Sequence, residues 1–343
     1  MDRTVETHLS EPRNQGLDLL RIFAMIAVVV IHAAAPYILG NKPLDGSYIT
    51  AITFDSFARF CVPVFVMISG ALMLTVNEDI DKNPWQYYGK KVLRFLPPII
   101  FWSVFYWGFS GKIGYILQSS SLEIAFNEIK HTLIREIPYY HMWYLFMMPG
   151  LFFMAPMFRF LKRKSTPKQW IALGIGLLIF GMLHNAWRQQ VSSWAWYYAE
   201  FVDFLGYLIL GDIIFNRKFP KAVSLFSYIG GSIALSVATY FFTQSYVASF
   251  LSILIAIPTI GLYAFLTSDK STKDSKIVYD IALSSFGIYL VHPFIVDSIM
   301  RATNFSLTGH TGINIVVYTT ITLILSYILV KVIRVIPILK RVV

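Results

Sequence analysis

Ten stretches of eighteen or more mostly apolar residues divide this chain, and they leave few folds open to it. A run of that length matches the hydrocarbon thickness of a bilayer when coiled as an α-helix. Inside the bilayer every backbone N–H and C=O must find a partner within the segment, so each run reads as a helix. The runs are Leu17–Leu39, Ile49–Leu74, Val92–Phe109, His141–Leu161, Gln169–Trp187, Trp196–Phe215, Ala222–Phe242, Val247–Thr267, Ile277–Met300 and Ile313–Ile336. No soluble domain is left over. The expectation is an all-α polytopic membrane protein of about ten transmembrane helices, forming one integral-membrane domain over residues 1–343.

Composition agrees. The chain is 56% hydrophobic and only 14% charged, which excludes an ordinary soluble protein. Its 28 Phe and 20 Tyr suit aromatic belts at the two membrane interfaces. A formal charge of +10 would suit nucleic acid, but in a membrane protein it more often reflects cytoplasmic loops. The basic residues test this. Taking the N-terminus, alternate connections and the C-terminus as one side assigns 21 of the 29 Lys and Arg to it, and 6 to the other. Arg21 and Arg59 remain within helices. By the positive-inside rule both termini are expected to be cytoplasmic and the connection Ser110–Tyr140 outside. Within that connection Leu122–Ile137 reads as an amphipathic stretch on the membrane surface.

Other classes drop out on motifs. One cysteine, Cys61, allows no intrachain disulfide and no Cys-x-x-Cys zinc site, and no metal is expected. No P-loop and no Gly-x-Ser-x-Gly elbow appears. The first apolar run is too long and too polar for a signal peptide, despite the cleavage-like Ala33-Ala34-Ala35.

The candidate chemistry lies in ionisable groups within apolar runs, which are costly and usually functional. Arg21 and His32 are eleven residues apart. Eleven helical steps are about 16 Å and about three turns, so both lie near one face. His32 reads as a packed polar residue or as a general base, since imidazole titrates near neutral pH. Arg21 would snorkel, pair with Asp18, or bind a phosphate. Arg59 either pairs with Asp55 one turn away or serves the site. Lys90, Lys91 and Arg94 before Pro97-Pro98 are an interfacial anchor or a docking face for an anionic cofactor. His141 and Trp143 at the outer end of their run suit a small-ligand site, although Trp143 alone is an ordinary belt aromatic. Tyr289 and His292 precede Pro293, which removes a backbone donor and can open the helix locally. Glu200, Asp203, Asp297 and Arg301 are further buried-polar candidates. Ser69-Gly70 reads as a close-packing pair between helices.

These residues together resemble the acyltransferase type 3 family of bacterial inner-membrane O-acyltransferases. Leu17-Asp18-Leu19-Leu20-Arg21 followed by His32 is similar to its Arg-x10-His signature. Val62-Pro63-Val64-Phe65-Val66-Met67-Ile68-Ser69-Gly70 is similar to its Pro-hydrophobic-Ser-Gly segment. Lys91-Val92-Leu93-Arg94 with Pro97, His141-Met142-Trp143-Tyr144-Leu145 running to Pro156, and Ser285-Phe286-Gly287-Ile288-Tyr289-Leu290-Val291-His292-Pro293 complete the series, in order along nearly the whole chain. The resemblance implies a multi-pass enzyme of the bacterial cell membrane, of the stand-alone branch without an extracytoplasmic domain. Such an enzyme takes an acyl group, often acetyl, from cytosolic acyl-coenzyme A as a co-substrate, with no permanently bound cofactor. It passes the group to a hydroxyl of a surface glycan or lipid-linked sugar.

The implied roles follow. His32 is the catalytic histidine. Arg21, Lys91 and Arg94 bind the acyl donor. Arg59, His141, Trp143, Tyr289 and His292 bind or support the acceptor. The expected partners are acyl-coenzyme A, the sugar acceptor and the lipid bilayer, with no nucleic acid. The rival reading is a secondary transporter or flippase of polysaccharide precursors, since buried Arg, His and Glu also suit proton coupling. Acyl-coenzyme A binding discriminates between them.

Overall fold

The computed structural model describes residues 14–40, 45–75, 83–118, 121, 123, 126–127, 130–131, 136–191, 197–242, 247, 249–268 and 275–343. Most of the stretch 122–137, read from sequence as an amphipathic surface segment, lies outside the described residues.

Among the described residues the chain is helical throughout, without strands. The helices are α1 (Gln15–Gly40), α2 (Gly46–Ala58), α3 (Cys61–Met73), α4 (Pro84–Phe109), α5 (Lys112–Leu117), α6 (Trp143–Lys164), α7 (Pro167–Val191), α8 (Leu205–Phe215), α9 (Lys221–Phe241), α10 (Ile253–Thr267), α11 (Lys276–Ala302) and α12 (Thr311–Val335). Eight spans are long and apolar enough to cross a membrane, counting α2 and α3 together as one of 28 residues. Helices α8 and α10 are apolar but only 11 and 15 residues long, short of the roughly 20 that a perpendicular crossing needs. A helix therefore occupies each of the ten expected runs, and eight have spanning dimensions.

Several boundaries differ from the sequence reading, three of them for a clear local reason. Helix α4 begins eight residues before Val92 because Asn83 caps it, accepting from the Gln86 N–H at 3.1 Å, with Pro84 at the first position. The second run is not one helix. It breaks at Arg59-Phe60 because Pro63 has no N–H to give the Arg59 carbonyl. The sixth run is a 3-10 turn, Tyr197–Val202, leading into α8. Pro293, by contrast, sits inside an unbroken α11.

Helix α1 occupies the centre, packed against α2, α3, α10, α11 and α12. Helix α3 lies beside it and crosses the almost wholly buried α8 at backbone contact. A Cβ on Gly70 would stand 1.8 Å from the Leu208 carbonyl oxygen, and one on Gly211 2.0 Å from that of Met67. Lipid tails are as apolar as leucine, so helices in a bilayer gain by such close approach rather than by burial alone. Ser69-Gly70 is thus the close-packing pair its sequence suggested. The end of α3 is held by cations: Arg159 donates to the Met73 carbonyl at 2.9 Å and Lys162 to that of Leu74 at 3.0 Å. Positive charge there satisfies orphan carbonyls and the helix dipole together. Lys162 also pairs at 2.7 Å with the buried Asp212 of α8, whose second oxygen takes the Trp170 indole N–H at 3.0 Å. That knot ties α3, α6, α7 and α8 at the end of the bundle carrying Arg21.

Candidate active site

His32 stands eighteenth of the 26 residues of α1, two-thirds of the way from the Arg21 end rather than at its middle. Rings from distant parts of the chain surround it. The Tyr140 ring lies 4.7 Å from its centroid and the His292 ring 5.3 Å away, nearly parallel. His141 meets His292 edge-on at 5.6 Å, Tyr289 at 5.4 Å and Tyr106 at 4.8 Å. Three imidazoles from α1, α11 and the turn before α6 therefore share one cluster.

The sequence dictates how His292 is presented. Pro293 has no N–H, so the Tyr289 carbonyl four residues before it loses its helical partner. His292 Nδ1 takes up that carbonyl at 2.8 Å, with the Ile288 carbonyl at 3.2 Å. A carbonyl only accepts, so Nδ1 carries the proton and neutral His292 keeps its lone pair on Nε2. That Nε2 is buried and has no hydrogen-bond partner among the described residues, as is true of both ring nitrogens of His141. Buried polar groups are usually satisfied, and groups left open in a pocket mark where a ligand's polar atoms would go. His141 is buried within the protein, because the Tyr139-Tyr140 turn folds over it and Tyr289 Oη donates to its carbonyl at 2.7 Å.

A cavity of about 30 Å³ opens beside His32, lined by Val28, Cys61, Val62, His141, Trp143 and Tyr289 among others. It has room for a water or two. Trp143 forms one wall, partly buried, stacked on Phe250 at 5.8 Å and against Phe204 at 6.0 Å. Arg59 pairs with Asp55 at 2.6 Å, lies over the Phe250 ring, and is close enough to His32 to act on it electrostatically. Arg59, His141, Trp143, Tyr289 and His292 are thus all brought to the His32 end of the bundle.

Arg21, Lys91 and Arg94 are not there. They gather near the opposite end of α1, about 16 Å along the helix. Arg21 is bound to Asp18 at 2.8 Å, the local pairing its sequence allowed, and keeps part of its side chain exposed. Arg94 is within electrostatic reach of Arg21, and Lys91 of Arg94 and Arg159. Lys91 lies 4.4 Å over the Phe152 ring, and Arg159 4.9 Å over that of Tyr87. Pro156 frees the Phe152 carbonyl, which Tyr87 Oη takes at 3.2 Å. Four cations, Arg21 among them with its guanidinium partly exposed, gather over an aromatic floor and form a cationic mouth of the kind that suits an anion.

Sequence reasoning missed several members. Tyr140 touches His32, yet nothing marked it. Its hydroxyl donates to Asp297 at 3.1 Å, and Tyr139 donates to the other oxygen of the same carboxylate. Asp297 was one weak candidate among many; its role is to hold this turn over the histidines. The tyrosine pair just ahead of His141-Met142-Trp143 was the available signal. Arg159 read only as a positive-inside anchor, but is buried at the cationic mouth. Glu200 and Asp203 lie elsewhere: Asp203 binds His184 at 2.6 Å and Arg188 at 3.1 Å. Arg301 lies over the Phe109 ring.

The family model of an acyltransferase domain matches residues 14–331 of the 343. The chain belongs to that family, the acyltransferase 3 family, and is a membrane acyltransferase. No curated protein and no solved structure matches it.

Proposed function

We propose that this acyltransferase moves an acyl group, acetyl in the first instance, from acyl-coenzyme A to a hydroxyl of a surface glycan or lipid-linked sugar. On this reading it works in the bacterial cytoplasmic membrane with both termini cytoplasmic. One observation carries it: a cationic mouth and a buried imidazole cluster at two stations of a single central helix. A donor with phosphates at one end and a thioester on a flexible arm spans two such stations. Arg21, Lys91 and Arg94 hold the phosphates by charge-assisted bonds, with the buried Arg159 adding positive charge behind them. The arm runs beside α1 toward His32. The acceptor hydroxyl comes from the other end, past Trp143 and Tyr289.

The step balances without an outside reagent. His32 takes the hydroxyl proton as the sugar oxygen attacks the thioester carbonyl. The new C–O bond forms, the C–S bond breaks, and the thiolate of coenzyme A leaves with the proton from His32. His141 and His292 supply polar atoms around the reacting carbon, and Tyr140 fixes the His32 ring from the side.

The test is transfer of labelled acetyl from acetyl-coenzyme A to surface polysaccharide by the purified chain in lipid. His32→Gln keeps a hydrogen-bonding side chain but removes the base. The loss of a general base typically costs about a hundredfold to ten-thousandfold in rate. The variant is expected to stay folded, bind acetyl-coenzyme A and fail to transfer. Near-normal transfer by His32→Gln would reduce His32 to a packing residue and overturn the mechanism.

A further inference from the structure

One turn past His32, at the Gly40 end of α1, lies a second and larger cavity of about 620 Å³. Its walls are the last turn of α1, Ser47 of α2, the loop Phe305–Gly309, and Thr311 and Asn314 of α12. This volume is in the range of small-molecule sites. Two features set its chemistry. None of its described lining residues is charged. Its polar groups are hydroxyls and one amide, which donate and accept equally.

The walls are built rather than incidental. Tyr37 Oη donates to the Phe305 carbonyl at 2.6 Å, fastening the loop to α1. Asn314 receives the Thr308 N–H at 2.8 Å and returns its own N–H to the Thr308 carbonyl at 3.0 Å. Thr311 donates to Ser47 at 2.9 Å across the groove. Within this fastened loop Asn304 and Phe305 have φ of 48° and 60°. The left-handed region is unfavourable for a residue with a Cβ, above all for a bulky one, and such strain persists where the surroundings impose it, often at ligand clamps. Here the strained residue is Phe305, whose ring is 44% exposed in a groove of hydroxyls.

We propose that this groove binds neutral sugar units of the acceptor, with Phe305 as the stacking platform, and so sets which glycan presents its hydroxyl to His32. The proposal rests on the reading of the acceptor as a glycan. An exposed aromatic face beside hydroxyl and amide groups suits a ligand with apolar ring faces and many hydroxyls. Among the described lining residues there is no cation to give the charge-assisted bonds that phosphate or carboxylate would take. Position agrees as well. Pro36 and Tyr37 line the groove four and five residues beyond His32, about 6–7 Å along the helix, so a chain seated there reaches the imidazole cluster within a sugar or two.

The experiment uses the full chain in lipid nanodiscs on an array of neutral oligosaccharides and matched uronic-acid oligosaccharides of two to six units. Neutral members are expected to bind and charged ones not. Phe305→Gly removes the platform and relieves the backbone, so binding should fall about tenfold while the melting temperature does not drop. Ser306→Trp, at an exposed position, should fill the groove with the same loss. Acetyl-coenzyme A binding, measured on the same samples, should be unchanged in both variants. Equal oligosaccharide binding by parent and variants overturns the proposal, as does preference for uronates or no binding of any neutral member. If oligosaccharides bind in the parent and fall in the variants, yet acetyl-coenzyme A never binds, the donor assignment fails while the groove stands.

Discussion

Arg21 stands at the cationic mouth with its guanidinium partly exposed and bonded to Asp18. A charge-assisted phosphate contact is worth roughly 1.5–3 kcal/mol, so Arg21→Ala should weaken acetyl-coenzyme A binding about tenfold to a hundredfold. Arg21→Lys keeps a cation beside Asp18 but loses the planar fork, and titration of the donor onto both variants should rank them parent, lysine, alanine. Unchanged affinity in the alanine variant would remove Arg21 from the mouth. At His292, asparagine keeps a donor near Nδ1 for the Tyr289 carbonyl but has nothing at Nε2. His292→Asn should fold as the parent does and lose transfer about as severely as an acid–base or orienting group, about a hundredfold. A variant that loses its fold but not its specific rate would mark His292 as structural only. Tyr140 is marked in the sequence only by its place beside Tyr139 ahead of His141, because its contact to His32 crosses 108 positions and depends on Asp297, another 157 residues on.

Elements were read better than their interruptions. The apolar runs announced the helices because a bilayer permits little else. The break at Arg59-Phe60 was hidden by hydropathy, which is as high after it as before; only Pro63 marked it. The early start of α4 was hidden for the opposite reason, since Trp85–Tyr88 is too polar to count as a span yet is well capped by Asn83. Close packing of α3 on α8 was legible in Ser69-Gly70, though its partner Gly211 was not. That contact makes a sharp prediction. Gly70→Ala would drive a methyl into the Leu208 backbone, and overpacking of this kind costs typically about 1–3 kcal/mol and occasionally more. Thermal unfolding in detergent should show a clear loss for Gly70→Ala. At Gly89, where a Cβ meets nothing within 4 Å, the same change should have little effect.

At the scale of the whole molecule, the distribution of Lys and Arg sets an expected orientation in the membrane that labelling can check. Native Cys61 is buried, which makes single-cysteine labelling clean. Cysteines introduced at the exposed Ser110 and Lys168 should answer to opposite sides: an impermeant thiol reagent added outside cells should modify the first and not the second. The reverse pattern would invert the map. The site was only partly visible at this scale. Motifs named residues at both stations of α1, but the sequence could not say that one set gathers at a cationic mouth while the other closes around His32.

The size of the cavity beside His32 has a kinetic meaning. A volume of about 30 Å³ accommodates a water or two, whereas the proposed reaction would bring a thioester carbonyl and a sugar hydroxyl there together. On that proposal a turnover would call for an outward swing of at least one lining ring, and the two substrates would wait on the same opening. An enzyme built this way would keep bulk water from a thioester donor between turnovers, so its wasteful hydrolysis of donor should be slow whenever no acceptor is at hand.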